Sequence, residues 1–174
     1  QFIDRVQDRL GKTIYRSDAR ACEQCAAETW DGKGPPALPD TREQLADPAS
    51  VYQVVHMMEG GIERGTGTAA RAVGKPLAGK SGTSNDAFDV WFLGFSPDLV
   101  AGVYVGFDEP RTLGPKDTGG VVAAPIFRAF MMGALKNKPA TPFRVPPGIS
   151  LARVNLDTGR PAEPGDNKVI LEAF

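Results

Sequence analysis

The chain has 174 residues, 24% of them charged, and a formal net charge of −1. This length is enough for one domain with a hydrophobic core, and the balanced charge argues against nucleic-acid binding or purely electrostatic membrane binding. No apolar stretch approaches the roughly 20 residues that a membrane-spanning helix requires. The given sequence does not open on a signal-peptide pattern, and we expect Gln1 to lie inside a longer protein.

Residues 1–47 are predicted to form a β-hairpin followed by a polar loop excursion. Apolar residues alternate weakly on both sides of a turn at Gly11, a pattern typical of two short strands within residues 2–16. From residue 20 to 48, Gly and Pro recur among polar side chains, which indicates a long surface loop.

This loop carries the two cysteines of the chain, Cys22 and Cys25, as a lone Cys-x-x-Cys. A redox pair requires a helix that starts at the motif, whereas a polar, Pro-rich stretch follows. A zinc site requires two further ligands, and the single histidine is His56. The remaining interpretation is a surface loop with a short-range disulfide or two free thiols, and we expect no metal.

Residues 48–140 are predicted to form an antiparallel sheet flanked by helices, which places the chain in the α/β class, of the α+β kind. Asp47-Pro48 is typical of a helix cap followed by proline in the first turn, and helical periodicity then continues to Glu63. A second helix is predicted from Pro125. Three strands lie between these helices: Pro76–Thr83, Val90–Phe95 and Leu99–Phe107.

The second of these strands is apolar on both faces, so we expect cover on both sides and place Trp91, Phe92 and Phe95 in the core. The short connection to the third strand favours antiparallel pairing. Residues 141–174 are predicted to form a Pro-rich link and a β-rich tail with one strand, Ile149–Leu156, and no capping element after it.

The tetrad Lys80-Ser81-Gly82-Thr83 is the main candidate site. A lysine and two hydroxyls can hold a carboxylate, and Gly82 lets a ligand lie against the backbone. Lys80 and Gly82 share one face of the strand while Ser81 and Thr83 share the other, so the site is predicted at a strand edge that exposes side chains and main chain. The backbone N–H of Thr83 is the predicted oxyanion donor.

A second hypothesis comes from another functional class. Residues Gly74–Ser81 match the phosphate-binding pattern G-x-x-x-x-G-K-[ST], which would make the chain a P-loop nucleotide-binding protein. That pattern requires an apolar strand before it and a helix that begins at the Lys-Ser pair. The preceding residues do not form a strand pattern, and the residues after Ser81 are a poor helix start.

The tetrad and its neighbours closely resemble the C-terminal half of the transpeptidase domain of class A penicillin-binding proteins, the 1A type in particular. The similarity covers most of residues 48–160. The segments that carry it, in chain order, are Glu59–Ala70, Leu77–Asn85, Asp89–Pro97, Gly102–Asp108, Pro146–Ile149 and Asp157–Gly159.

This resemblance implies a partial penicillin-binding/β-lactamase-like fold and a serine D,D-transpeptidase that cross-links peptidoglycan stem peptides through an acyl-enzyme. Lys80, Ser81, Gly82 and Thr83 would bind the donor carboxylate. The implied partners are stem peptides, β-lactams and the remaining half of the domain, without cofactors or nucleic acid. The parent protein would also carry a glycosyltransferase domain and would be anchored through its N-terminus at the periplasmic face of the bacterial inner membrane.

The sequence departs from this family in two motifs. None of its serines has a lysine three residues later or an asparagine two residues later, so the Ser-x-x-Lys nucleophile motif and the Ser-x-Asn motif are missing. We therefore predict that this chain alone forms no penicilloyl adduct. A DD-carboxypeptidase, a β-lactamase and a noncatalytic interaction module remain the alternatives.

Other polar residues have more ordinary interpretations. His56 is expected to point to solvent, and Asp86 and Asp89 to act as caps or solvated groups, with a place on the groove rim as the alternative. Glu109 and Arg111, on the loop after the third strand, are candidates for substrate contact.

Overall fold

The computed structural model describes residues 3–17 and 43–174, together with the single positions 22, 25, 28, 29, 32 and 38. The chain divides into two compact units, residues 1–45 and 46–174. The first contains an antiparallel hairpin of β1 (Arg5–Gln7) and β2 (Thr13–Arg16). Cys22 and Cys25 form a disulfide, one of the two states that the sequence left open. Most of the predicted polar excursion lies outside the described residues.

The second unit contains two α-helices, two strand groups and short irregular helices. In its described residues no helix has the length and apolar character needed to cross a bilayer. The elements are, in chain order, α1 (Pro48–Glu63), a 3₁₀ helix (Thr68–Val73), β3 (Ala78–Thr83), a 3₁₀ turn (Asn85–Ala87), β4 (Asp89–Phe95), β5 (Val100–Gly106), a π-helical turn (Gly119–Ala123), α2 (Ala124–Ala134), β6 (Leu151–Asn155) and β7 (Val169–Ala173).

The central sheet has the strand order β3-β4-β5, and both pairs are antiparallel. One face forms the core: Val90 and Phe92 are fully buried, and the ring of Phe92 lies 5.0 Å from that of Phe127 on α2. Ile62 near the end of α1 and Met131 on α2 complete this core. The predicted α+β fold with an antiparallel sheet and flanking helices is confirmed.

The opposite face of this sheet differs from the prediction. Trp91 is 49% exposed and its ring lies 4.9 Å from that of Tyr104, and Leu93 is about as exposed. Placing Trp91 in the core was therefore wrong, and cover on both faces is absent from the part of the chain that the structure describes. Side chains alternate along β4, so Trp91 and Leu93 lie on the face opposite Val90 and Phe92. Because the whole run is apolar, the sequence does not indicate which of the two faces is buried.

Helix α2 shows a similar difference between its faces. Phe127 and Met131 are buried, as the prediction of helix packing requires, but Phe130 and Met132 are half-exposed. The helical segment also begins before the predicted start at Pro125. The π-helical turn Gly119–Ala123 leads directly into α2, which starts at Ala124.

The C-terminal tail contains a strand that the sequence analysis missed. Strand β7 pairs with β6, and the carbonyl oxygen of Leu171 on β7 lies 2.8 Å from Nε2 of His56 on α1. Arg64 also donates to Glu172, with Nη2 2.9 Å from Oε1. The prediction that His56 points to solvent was therefore wrong, because β7 packs against this side of the helix.

The start of α1 is fixed by a side-chain cap. Oδ2 of Asp47 accepts hydrogen bonds from the backbone N–H of Ser50 at 2.8 Å and from its hydroxyl at 3.0 Å, and Pro48 occupies the first turn. The bond from the Ser50 backbone is the main reason that the pKa of Asp47 lies below its ordinary value. The cap satisfies an N–H that would otherwise lack an intrahelical partner.

We expect Asp47→Ala to lower the melting temperature by a few degrees at pH 7, because this cap is lost. A carboxyl whose folded pKa is depressed stabilises the fold above its unfolded pKa, about 4, and loses this effect as pH falls through the folded value. Asp47→Asn is the matched control, since its amide oxygen still accepts but does not titrate. The difference in melting temperature between wild type and Asp47→Ala should therefore be smaller at pH 3 than at pH 7. Equal differences at the two pH values would contradict the assignment.

Candidate functional site

Strand β3 is an edge strand of the described sheet, paired on one side with β4. Ser84 donates its backbone N–H to the carbonyl oxygen of Asp89 at 2.9 Å, so these two opposed residues form a hydrogen-bonded pair of the β3–β4 ladder. Such pairs alternate in an antiparallel ladder, so the main chain of Lys80 and Gly82 faces β4. The N–H and C=O groups of Ser81 and Thr83 therefore face the open edge.

The Lys80 side chain reaches this open edge. It starts on the face that carries Leu93, is exposed, and donates a hydrogen bond from Nζ to the carbonyl oxygen of Ser81 at 2.8 Å. Because that carbonyl faces the edge, the amine lies beside the backbone groups that β4 leaves unpaired. The cation and the free main chain are thus adjacent.

Two hydroxyls lie on the other face of β3. Oγ of Ser81 lies 2.6 Å from Oγ1 of Thr66, and Oγ1 of Thr83 accepts the backbone N–H of Gly119 at 3.0 Å. Since the Thr83 oxygen is the acceptor in its bond, its own O–H proton remains available. Strand β3 therefore carries one ammonium on one face and two hydroxyls on the other.

Gly119 lies directly against the middle of the tetrad. A Cβ built on Gly119 would lie 2.3 Å from the carbonyl oxygen of Trp91 and 2.5 Å from that of Gly82. No side chain fits at this approach. The sequence analysis missed both Gly119 and Thr66, and the Gly-rich run Arg64–Gly67 was the only local signal for the latter.

Two of the other polar candidates, Asp89 and Arg111, have partners of their own. The hydroxyl of Tyr104 donates to Oδ1 of Asp89 at 2.7 Å, and this bond is the main reason that the pKa of Tyr104 is raised. The Arg111 guanidinium lies 3.9 Å from the ring centroid of Phe107. These contacts are structural ones within the loop and strand that carry the residues.

The geometry does not meet the requirements of a phosphate-binding loop. Lys80 and Ser81 lie in the middle of β3, where that motif requires the first turn of a helix. The segment is preceded by the 3₁₀ helix and a left-handed Gly74, with φ of 69°, where the motif requires a strand. The P-loop hypothesis is therefore rejected on backbone conformation.

Comparison with known proteins identifies the family of the chain. Penicillin-binding protein 1A of Rickettsia prowazekii is 45% identical over 99% of this chain and 22% of its own length, and that of Pseudomonas aeruginosa is 36% identical over 99% and 25%. The chain belongs to the class A penicillin-binding proteins of the 1A type. It spans about a quarter of the length of these relatives. No protein-family model matches it.

The fold of this family member is also found among solved structures. Penicillin-binding protein 1A from Haemophilus influenzae superimposes with a TM-score of 0.66, covering 99% of this chain and 28% of that protein, at 24% identity. At that identity the likeness supports the fold alone. The antiparallel sheet and its helices thus have the fold seen in that protein.

Proposed function

We propose that this chain is the C-terminal part of a serine D,D-transpeptidase domain, within a bifunctional peptidoglycan synthase. The observation that carries the proposal is the edge strand β3, on which the Lys80 amine reaches the Ser81 carbonyl at the open edge while Ser81 and Thr83 carry hydroxyls on the opposite face. In this proposal, other parts of the longer protein carry the glycosyltransferase activity and a membrane anchor. The longer protein would lie at the periplasmic face of the bacterial inner membrane.

The tetrad would recognise the terminal carboxylate of a D-Ala-D-Ala peptide or the equivalent carboxylate of a β-lactam. A carboxylate only accepts hydrogen bonds, and this edge offers donors: the ammonium of Lys80 and the hydroxyls of Ser81 and Thr83. Bonds that involve two ionised groups are the stronger ones. Lys80 would exchange its present acceptor, the Ser81 carbonyl, for the ligand.

The same edge supports the chemical step that follows binding. A serine outside this chain would attack the donor carbonyl, D-Ala would leave with a proton, and the acyl group would pass to an acceptor amine. The tetrahedral intermediate carries an oxyanion that requires fixed N–H donors. The Thr83 N–H faces the open edge by ladder alternation, so Thr83 is our candidate for one of these donors.

Fluorescent penicillin tests this proposal. We expect the full-length protein to form a covalent adduct that survives denaturation, and the 174-residue chain alone to form none, because its serines lack the lysine that activates the nucleophile. An unlabelled full-length protein would contradict the proposed function. A label on the isolated chain would show that the nucleophile lies within these residues.

A further inference from the structure

Thr66 makes a hydrogen bond whose purpose the proposed function does not explain. Its hydroxyl lies 2.6 Å from that of Ser81, and either oxygen can be the donor. Thr66 comes from the loop after α1, 15 residues away in sequence. Through this hydrogen bond, the loop after α1 contacts the tetrad.

The loop that carries Thr66 is held by backbone bonds on both sides. Arg64 N–H donates to the carbonyl of Gly60 and Gly67 N–H to that of Gly61, both at 2.9 Å. A Cβ on Gly120 would lie 2.4 Å from the carbonyl oxygen of Thr66, so the turn before α2 lies directly against it. The backbone of Thr66 is therefore held in place by packing within this chain.

The hydroxyl proton of Ser81 decides which residue donates in the Thr66–Ser81 bond once a ligand is present. A serine hydroxyl has one proton to donate, and a carboxylate can only accept. If Ser81 donates its proton to the ligand, its bond with Thr66 survives only with Thr66 as donor. A chain of hydroxyls that donate in one direction is mutually polarised, which strengthens the final bond.

We propose that Thr66 is a positioning residue for carboxylate recognition: it donates to Oγ of Ser81 and so directs the Ser81 proton toward the ligand. The inference rests on the proposed function, since it assigns the carboxylate to this edge. It adds a residue outside the tetrad, which acts through Ser81.

The test uses the full-length protein with three substitutions: Thr66→Val, Thr66→Ser and Thr68→Val. Valine keeps the shape of threonine but removes the hydroxyl, and serine keeps the hydroxyl. Thr68 is a nearby exposed threonine at the start of the 3₁₀ helix, so Thr68→Val is the matched control. Each variant is assayed for the rate of acylation by a penicillin and by its methyl ester, which lacks the carboxylate charge.

We expect Thr66→Val to slow acylation by the acid about fivefold, the effect of one hydrogen bond, and to leave acylation by the ester unchanged. Thr66→Ser and Thr68→Val should keep the wild-type rates with both compounds. Equal loss with acid and ester, no loss with either, or failure of Thr66→Ser to retain the rate would overturn the inference. The proposed function fails separately, if Lys80→Ala leaves acylation by the acid unaffected.

Discussion

Gly119→Ala is expected to destabilise the second unit by about 3 kcal/mol or more, at the upper end of overpacking costs. The new Cβ would lie 2.3 Å from the carbonyl oxygen of Trp91 and 2.5 Å from that of Gly82. Both oxygens belong to the backbone of paired strands, so neither can move without disturbing the β3–β4 ladder. The bond from Gly119 N–H to the Thr83 hydroxyl would be displaced as well.

Gly133→Ala is the matched control for this prediction. Gly133 lies in α2, and a Cβ built there has no atom within 4 Å. Alanine is favoured over glycine in a helix by up to about 1 kcal/mol, so this variant should be more stable than wild type. Urea unfolding of the 174-residue chain measures both. Similar free energies of unfolding for the two variants would show that Gly119 is not packed as described.

Lys80→Ala in the full-length protein is expected to slow acylation by penicillin about 10- to 100-fold. This is the range for losing a hydrogen bond to a charged group, about 1.5–3 kcal/mol. The fold should be unaffected, because the Lys80 side chain is exposed and its one described bond is to the neighbouring carbonyl. Lys136→Ala removes the same charge from an exposed position just beyond α2 and should retain the wild-type rate.

Local signals in the sequence were enough to predict α1 and the sheet. The Asp47-Pro48 pair marks the start of α1, whose bounds agree with the prediction, because capping depends on residues within one turn. The short link between β4 and β5 dictates antiparallel pairing. The class of protein followed from the resemblance of several segments, in chain order, around Lys80–Thr83.

The features that the sequence did not predict depend on distant residues. Strand β7 pairs locally with β6 but is placed by α1, through a contact between residues 115 positions apart. The exposure of Trp91 depends on which face of β4 the helices cover. The approach of Gly119 to Gly82 requires a π-helical turn, and this conformation has no local sequence signature comparable to a cap.

The position of Thr66 within the site shows the same limit. The Gly-rich run Arg64–Gly67 indicates a tight loop, but nothing in these residues specifies that its threonine meets Ser81. By contrast, the division of the tetrad between two strand faces follows from the period of two in any β-strand. Side-chain direction along one strand was therefore predictable, whereas contacts across the fold were not.

We propose that the Lys80 amine recognises a carboxylate at the open edge of β3. The most direct measurement compares acylation of the full-length protein by a penicillin and by its methyl ester, in wild type and in Lys80→Ala. We expect wild type to react faster with the acid, and Lys80→Ala to lose this preference while its rate with the ester is unchanged. If Lys80→Ala slowed both compounds by the same factor, the amine would not be the carboxylate's partner.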